Sequence, residues 1–251
     1  MVLRSLPSSY ISRSEPFNKI ACPVKFAKVG VVIPALNEEK NIEEVICRLK
    51  DLGFHNVLVI DGQSKDNTLE VAARNGARVV LQDSRGKGAA VRQVLSNGYL
   101  DVDALVLMDA DGSMSPDEIP AFIDALNSGA DVAKGSRFMK GGCTYDMSAF
   151  RRFGNMLMVS VVNFLWSVKF TDLCYGFLVL NERAVEKLGP LLESENFEIE
   201  TELLIKALDA GLTVKEVPST ESMRKNGKSN LNSYRDGFRI FRRIARERIY
   251  S

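Results

Sequence analysis

Two carboxylates one residue apart, Asp109 and Asp111, directly follow the apolar run Ala104-Leu105-Val106-Leu107-Met108. A buried strand that ends in Asp-x-Asp delivers two hard oxygen ligands to its carboxyl edge. In an open parallel sheet, that edge is where ligands bind. Carboxylate oxygens suit Mg²⁺ or Mn²⁺, and such ions are commonly shared with the phosphate oxygens of a substrate. The chemistry indicated is a metal-dependent site for a phosphorylated molecule. A polar turn after a strand is the alternative, because Asp and Gly are common turn residues.

Three more polar clusters follow apolar runs: Pro34-Ala35-Leu36-Asn37-Glu38, Asp61-Gly62-Gln63-Ser64 and Gly135-Ser136-Arg137. Each alone could be an ordinary turn. Gathered at one edge of a parallel sheet, they would line one site. Asp61 could accept hydrogen bonds from a base or ribose, or it could cap a helix or an Asx turn. Glu38 could bind substrate, or only favour the positive end of its helix. Arg85-Gly86-Lys87-Gly88 opens a helix, where glycines and a lysine can approach phosphates. It lacks the third glycine of the dinucleotide fingerprint, and the sequence holds no phosphate-binding Gly-x-x-x-x-Gly-Lys-Ser/Thr loop.

The elements that must position these residues alternate from residue 29 onward. Strands are predicted at 29–34, 57–60, 77–81, 104–108 and 131–134, with helices at 38–50, 65–75, 87–97 and from Pro116. Such alternation implies a mostly parallel α/β sheet flanked by helices. The second half reads differently. Residues 140–150 are irregular, 150–168 helical, 176–181 a strand, 182–188 and 199–210 helices, and 213–217 a strand. Residues 222–230 form a polar loop, and 231–250 resume helical spacing. The division expected is a flexible extension or targeting peptide over 1–28, a catalytic domain over 29–230 and a basic amphipathic helix over 231–251. No linker splits the middle part, whose first half would bind a nucleotide and whose second half an acceptor.

Composition narrows the function classes. The 251 residues carry a formal net charge of +1, which gives no drive toward nucleic acid. Cys22, Cys47, Cys143 and Cys174 are scattered, which fits incidental thiols of a reducing compartment rather than a disulfide frame or zinc site. The only histidine, His55, falls in a turn before a strand, and any Ser-His or Cys-His nucleophilic machinery would have to rest on that one residue. The most apolar stretch, 156–168, is interrupted by polar residues and shorter than the roughly 20 residues of a membrane span.

As an ordered set, the motifs resemble a known family. Val-Val-Ile-Pro-Ala-Leu-Asn-Glu-Glu (31–39), Asp-Gly-Gln-Ser-Lys-Asp-Asn-Thr (61–68), Gly-Lys-Gly-Ala-Ala (86–90), Asp-Ala-Asp-Gly (109–112) and Lys-Gly-Ser-Arg-Phe (134–138) occur in sequence. Thr-Asp-Leu-Cys-Tyr-Gly-Phe (171–177), Phe-Glu-Ile-Glu-Thr-Glu-Leu (197–203) and Arg224-x-x-Gly227-x-Ser229 follow. Over residues 28–240 the chain resembles a family 2 glycosyltransferase of the GT-A fold. It is most similar to the branch typified by dolichyl- or polyprenyl-phosphate mannose and glucose synthases.

That resemblance implies a nucleoside-diphosphate sugar donor, a divalent metal (Mg²⁺ or Mn²⁺) and an acceptor that in this branch is a lipid phosphate. Pro34, Asn37, Glu38, Asp61 and Lys87 match positions lining the nucleotide pocket. Asp109 and Asp111 match the metal-bearing motif, with Asp109 also facing the donor. Arg137, Arg224 and Lys228 match or neighbour basic positions near the phosphates. Asp172 matches an acidic position near the acceptor. It would be the base for a hydroxyl acceptor and a positioning group for a phosphate, which is already ionised. Glu198 and Glu200 open a helix, as favourable charge there or as catalytic groups.

The implied reaction is one displacement that inverts the anomeric carbon. Rival readings are a haloacid-dehalogenase-type phosphatase, which also uses strand-Asp-x-Asp-Gly, and a catalytically silent nucleotide-sugar binder. Many members of the branch carry membrane helices, and no segment here reads as one. The expectation is a cytoplasmic protein that meets its acceptor at the membrane surface. The tail arginines Arg235, Arg239, Arg242, Arg243, Arg246 and Arg248 would either rest on anionic lipid or face solvent on a helix packed against the domain.

Overall fold

The computed structural model describes residues 28–227 and 231–250. Residues 1–27 of the extension expected over 1–28, and Lys228, lie outside the described residues. Seven strands form the main sheet: β1 (Val29–Ala35), β2 (Asn56–Asp61), β3 (Arg78–Leu81), β4 (Ala104–Leu107), β5 (Val132–Ser136), β7 (Leu178–Asn181) and β8 (Val214–Pro218). Their order is β3-β2-β1-β4-β7-β5-β8. A small parallel pair joins β6 (Cys143–Thr144) to β9 (Thr220–Glu221). The helices are α1 (Glu39–Asp51), α2 (Thr68–Arg74), α3 (Lys87–Asn97), α4 (Ile119–Asn127), α5 (Ala149–Trp166), α6 (Glu182–Leu188), α7 (Ile199–Asp209) and α8 (Ser233–Tyr250).

The central strands are short apolar runs because helices cover both faces of the sheet. Along β1, Val31 and Ile33 enter one core with Ile42, Ile46 and Phe122, while Val32 enters the other with Leu105, Leu178 and Leu204. All neighbouring strands pair in parallel except β7, which runs antiparallel to both β4 and β5. The chain leaves β1 for β2 and β3 on one side and returns to β4 on the other. The switch point therefore lies between the carboxyl ends of β1 and β4, where Pro34–Glu38 and Asp109–Asp111 emerge.

Several sequence boundaries move for local reasons. The first helical turn after β2 starts at Thr68 rather than residue 65, because Asp66 Oδ1 accepts from the Thr68 backbone N–H at 3.1 Å. Pro116 opens a short 3₁₀ turn (Pro116–Glu118) before α4. The two short strands depart from the sequence expectation: β6 lies in the stretch read as irregular, and β9 falls between the strand read at 213–217 and the loop read at 222–230.

Candidate active site

The donor-side cavity, about 510 Å³, opens at the switch point. Pro34, Asn37, Glu38, Lys87, Asp109, Asp111 and Arg224 all line it. Its loops are braced to each other. Asn37 sits at φ 57°, and its N–H donates to Ser64 Oγ at 2.9 Å while its Oδ1 accepts from the Lys65 N–H at 2.8 Å. The Glu38 N–H donates to Thr68 Oγ1 at 2.8 Å.

Asp61 ends β2, 2% exposed. Its Oδ2 accepts from the Ser64 N–H at 3.0 Å, which is the turn-capping role. Its Oδ1 is buried and has no partner. Asp61 itself does not line the donor-side cavity, although Gly62 and Gln63 beside it do. Arg224 does line it, and its Nε is a buried donor with no partner among the described residues. An orphaned buried donor on a cavity wall is what a polar ligand would satisfy.

The carboxylates of the Asp-x-Asp pair already face cations. Lys87 Nζ lies 2.5 Å from Asp109 Oδ1 and 2.6 Å from Glu200 Oε1. Arg224 Nη2 lies 2.6 Å from Asp111 Oδ2, and its Nη1 lies 3.5 Å from Glu38 Oε1. Burial would lower the Lys87 ammonium, but Asp109 and Glu200 overcome it and raise its pKa. Burial, Asp111 and Glu200 push the Asp109 carboxyl up against the pull of Lys87. Burial raises Glu38 as well, against Asn41 and Arg224.

These four carboxylates and two cations leave a formal charge of −2 (four negative minus two positive: Glu38, Asp109, Asp111 and Glu200 against Lys87 and Arg224). That residual charge and the hard oxygen donors fit one divalent cation. Among the described residues, no three His, Cys, Asp or Glu side chains converge tightly enough to hold an ion unaided. The remaining ligands of such an ion would have to come from a substrate.

Arg224 is held in place by its own loop. Asn226 Nδ2 donates to Asn41 Oδ1 at 2.9 Å, and Asn41 Nδ2 donates back to the Asn226 carbonyl at 3.3 Å. Lys225 pairs with Glu44 on the same face of α1. This brings residues some 185 positions apart in sequence over one cavity.

Arg137 and Asp172 depart from the sequence expectation. Arg137 does not line the donor-side cavity; it lies in the floor of a second one. Its Nε donates to Asp172 Oδ2 at 2.7 Å, Nη2 to Asp172 Oδ1 at 3.0 Å and to the Cys174 carbonyl at 2.9 Å, and Nη1 to both Glu221 oxygens at 3.1 Å. Every guanidinium donor is thus engaged by protein, so direct phosphate contact is not its role in this conformation. Asp172 is 0% exposed. A base must reach a hydroxyl proton, and this carboxylate is sealed behind Arg137. Its role here is to fix that arginine, with Lys134 also nearby.

The glycines of Gly86-Lys87-Gly88 also serve a different end. A Cβ on Gly88 would lie 2.5 Å from the Ser194 carbonyl, and one on Gly86 would collide with the Glu195 carbonyl. They allow the 194–196 segment to close over the start of α3, while Gly86 and Lys87 also line the donor-side cavity. Glu200 is the functional neighbour that sequence left undecided; its signal was only an acidic helix opening. The described cysteines and the histidine show no nucleophilic arrangement, and Cys22 lies outside the described residues. Burial pushes the Cys174 thiol up to about 12, Cys47 is exposed, and His55 lies at the amino end of β2, opposite the site.

The second cavity, about 340 Å³, shares Lys87, Asp109, Asp111, Phe197 and Arg224 with the first. It runs between α5 and α8 past Phe150, Arg151, Met158, Tyr234 and Ile240. Asn155 Nδ2 borders it as a buried donor without a partner. Phe150 (52%) and Tyr234 (77%), which line it and pack on each other with ring centroids 5.0 Å apart, are themselves exposed, and further exposed apolar residues follow along α5 (Phe153, Leu157, Phe164) and α8 (Phe238, Phe241).

A doubly wound sheet with paired carboxylates at its switch point is the architecture of the GT-A fold. The chain belongs to glycosyl transferase family 2, whose family model matches residues 30–189. It is 34% identical over 221 residues to glycosyltransferase AglJ of Haloferax volcanii, covering 87% of this chain and 71% of that protein. It is 31% identical to a dolichyl-phosphate hexose transferase of the same organism (88% and 94% covered). It is 32% identical to dolichol-phosphate mannosyltransferase of Pyrococcus furiosus (81% and 59% covered). The fold matches glucosyl-3-phosphoglycerate synthase of Mycobacterium tuberculosis in complex with Mn²⁺, uridine-diphosphate-glucose and phosphoglyceric acid. That match has a TM-score of 0.70 at 22% identity, covering 88% of this chain and 80% of that one. The chain is a glycosyltransferase, and the phosphatase alternative finds no support.

Proposed function

We propose that this enzyme moves a sugar from a nucleoside-diphosphate sugar to a polyprenyl phosphate at the cytoplasmic face of a membrane, with inversion at the anomeric carbon. The observation that carries the acceptor assignment is the second cavity. It joins the Asp109–Asp111 edge to an exposed aromatic face, so a phosphate could sit inside while its lipid tail stays in an apolar phase. The donor would occupy the first cavity, with Arg224 Nε gaining a partner on binding and Asp61, next to the lining residues Gly62 and Gln63, as a further candidate contact. Pro34, Asn37, Glu38 and Lys87 line the same space.

Mg²⁺ or Mn²⁺ would be held by Asp109 and Asp111, and when bound it would offset charge growing on the departing diphosphate. Arg224 must leave Asp111 for that to happen, and it would then be free to donate to a phosphate oxygen. The incoming phosphate oxygen forms the new bond to the anomeric carbon as the carbon–oxygen bond to the diphosphate breaks. Because a lipid phosphate is already ionised, no side chain need take its proton. That agrees with a sealed Asp172. Relatives named as dolichyl- and dolichol-phosphate transferases support this acceptor class.

The helix pair supplies the contact with lipid. On α8, Tyr234, Phe238, Phe241 and Ile249 share one exposed stripe, Arg235, Arg239, Arg242 and Arg246 the next, while Ile240 and Ile244 face the core. An aromatic stripe beside a basic one suits an anionic bilayer surface. Among the described residues no helix is long and apolar enough to cross a membrane. The test is sedimentation with anionic vesicles at low and high salt. Wild type should pellet, and Phe153→Glu with Phe238→Glu should stay in solution. Wild type that remains soluble at low salt and glycosylates a water-soluble phosphate equally well would replace the lipid acceptor by a soluble one.

A further inference from the structure

Lys87 and Asp109 line both cavities, so their ion pair sits where donor and acceptor must meet. The Lys87 ammonium has a second anionic partner, Glu200 in the first turn of α7, at 2.6 Å. The two side chains are 13% and 10% exposed. We propose that Glu200 is a positioning residue that keeps the Lys87 ammonium at the junction of the two cavities once a divalent ion has taken Asp109. The proposal rests on the donor reading above.

The physical reason is charge competition. A divalent cation on Asp109 withdraws that carboxylate from Lys87 and repels the ammonium. A buried ammonium left without a counter-charge is driven from its place toward water. Glu200, on a separate element, holds it from the opposite side. An ammonium fixed there faces the two anionic groups of the reaction, the departing diphosphate and the incoming phosphate, and needs no reorganisation as charge shifts between them. Glu200 itself faces the lysine, so it acts through Lys87.

Gly176 gives an independent sign that the space is kept for this pair. Its φ lies outside the left-handed region, so its backbone does not demand glycine. A Cβ there would collide with Glu200 Oε1 and lie 2.5 Å from Lys87 Nζ. The room a side chain would fill is taken by the two charges.

The test is a double-mutant cycle on the full chain, read by calorimetric affinity for inorganic pyrophosphate in the presence of Mn²⁺. This probe requires neither the right base nor the right sugar. Lys87→Ala and Glu200→Ala should each weaken binding by about 5–30-fold, with the double variant within about threefold of Lys87→Ala alone. Glu200→Gln keeps the shape of the side chain and one acceptor, and should lose about as much as Glu200→Ala; it carries the test if the alanine variant does not fold. Losses that multiply in the double variant, or Glu200 variants that bind like wild type, overturn the proposal. Glu200→Gln that binds normally but no longer transfers sugar also overturns it, because Glu200 would then act on substrate directly. Wild type that fails to bind Mn²⁺ and pyrophosphate together overturns the donor reading, and this proposal with it.

Discussion

Asp172→Asn should destabilise the fold by about 3–5 kcal/mol, the cost of leaving a buried charge without its partner. Asp172 is fully buried and accepts three hydrogen bonds from Arg137, at 2.7, 3.0 and 3.1 Å. Asparagine keeps one oxygen and turns an N–H₂ toward a group that only donates. Arg137 would retain Glu221, but Lys134, fully buried and bonded only to the Gly135 carbonyl at 2.9 Å, would lose its nearby negative charge. Against a typical stability of about 5–15 kcal/mol this is a large fraction. With an m value of about 3 kcal/mol/M, the urea midpoint should fall by about 1–2 M. The pH dependence has a definite sign. Burial would raise the Asp172 carboxyl, but Lys134 and Arg137 hold it below the ordinary carboxylate range. Its contribution is therefore complete above the unfolded-state value of about 4 and is lost only as pH falls through the lower folded value. The gap between wild type and variant should be full at neutral pH and close in acid. A midpoint within about 0.2 M of wild type, together with lost turnover, would restore Asp172 as an accessible base and refute this reasoning.

Arg224→Gln should weaken nucleotide-sugar binding by about 1.5–3 kcal/mol through loss of a charge-assisted bond, while Mn²⁺ alone binds Asp111 more tightly; calorimetry with and without nucleotide reads both. Asp61→Ala should weaken nucleotide binding by about 1–3 kcal/mol, and unchanged affinity would leave Asp61 with only its turn-capping bond to Ser64. Gly88→Ala should lower the melting temperature, because its Cβ meets the Ser194 carbonyl; an unchanged melting temperature would mean that the 194–196 segment yields. Asn226→Ala should raise the donor KM several-fold through Arg224 without changing thermal stability, and an unchanged KM would show that the loop does not position Arg224.

Much of the donor half was legible because its signals are local. Short apolar strands alternating with amphipathic helices fixed the layers, and polar clusters after strands marked the carboxyl edge that the sheet assembles. The direction of β7 was not legible, since an apolar run such as 178–181 reads the same in either sense. Arg137 and Asp172 were singled out as charged motif residues, but charge in a motif does not reveal whether it faces ligand or protein; that depends on Glu221, 84 positions away. The Lys87–Glu200 pair spans 113 positions and has no spacing signature. On α8 the arginines were read as one basic face. Packing divides them, burying Arg243 against Glu202 and Glu247 while leaving Arg242 exposed.

The most direct measurement is transfer of labelled sugar from a panel of nucleotide-sugars to a polyprenyl phosphate in vesicles, comparing wild type with Asp111→Asn, with Mn²⁺ or with chelator. Label should enter the organic phase only with wild type and metal. Label that appears there equally with chelator or with Asp111→Asn, or wild type that consumes none of the nucleotide-sugars, would contradict the assignment of a metal-dependent sugar transfer at the Asp109–Asp111 edge.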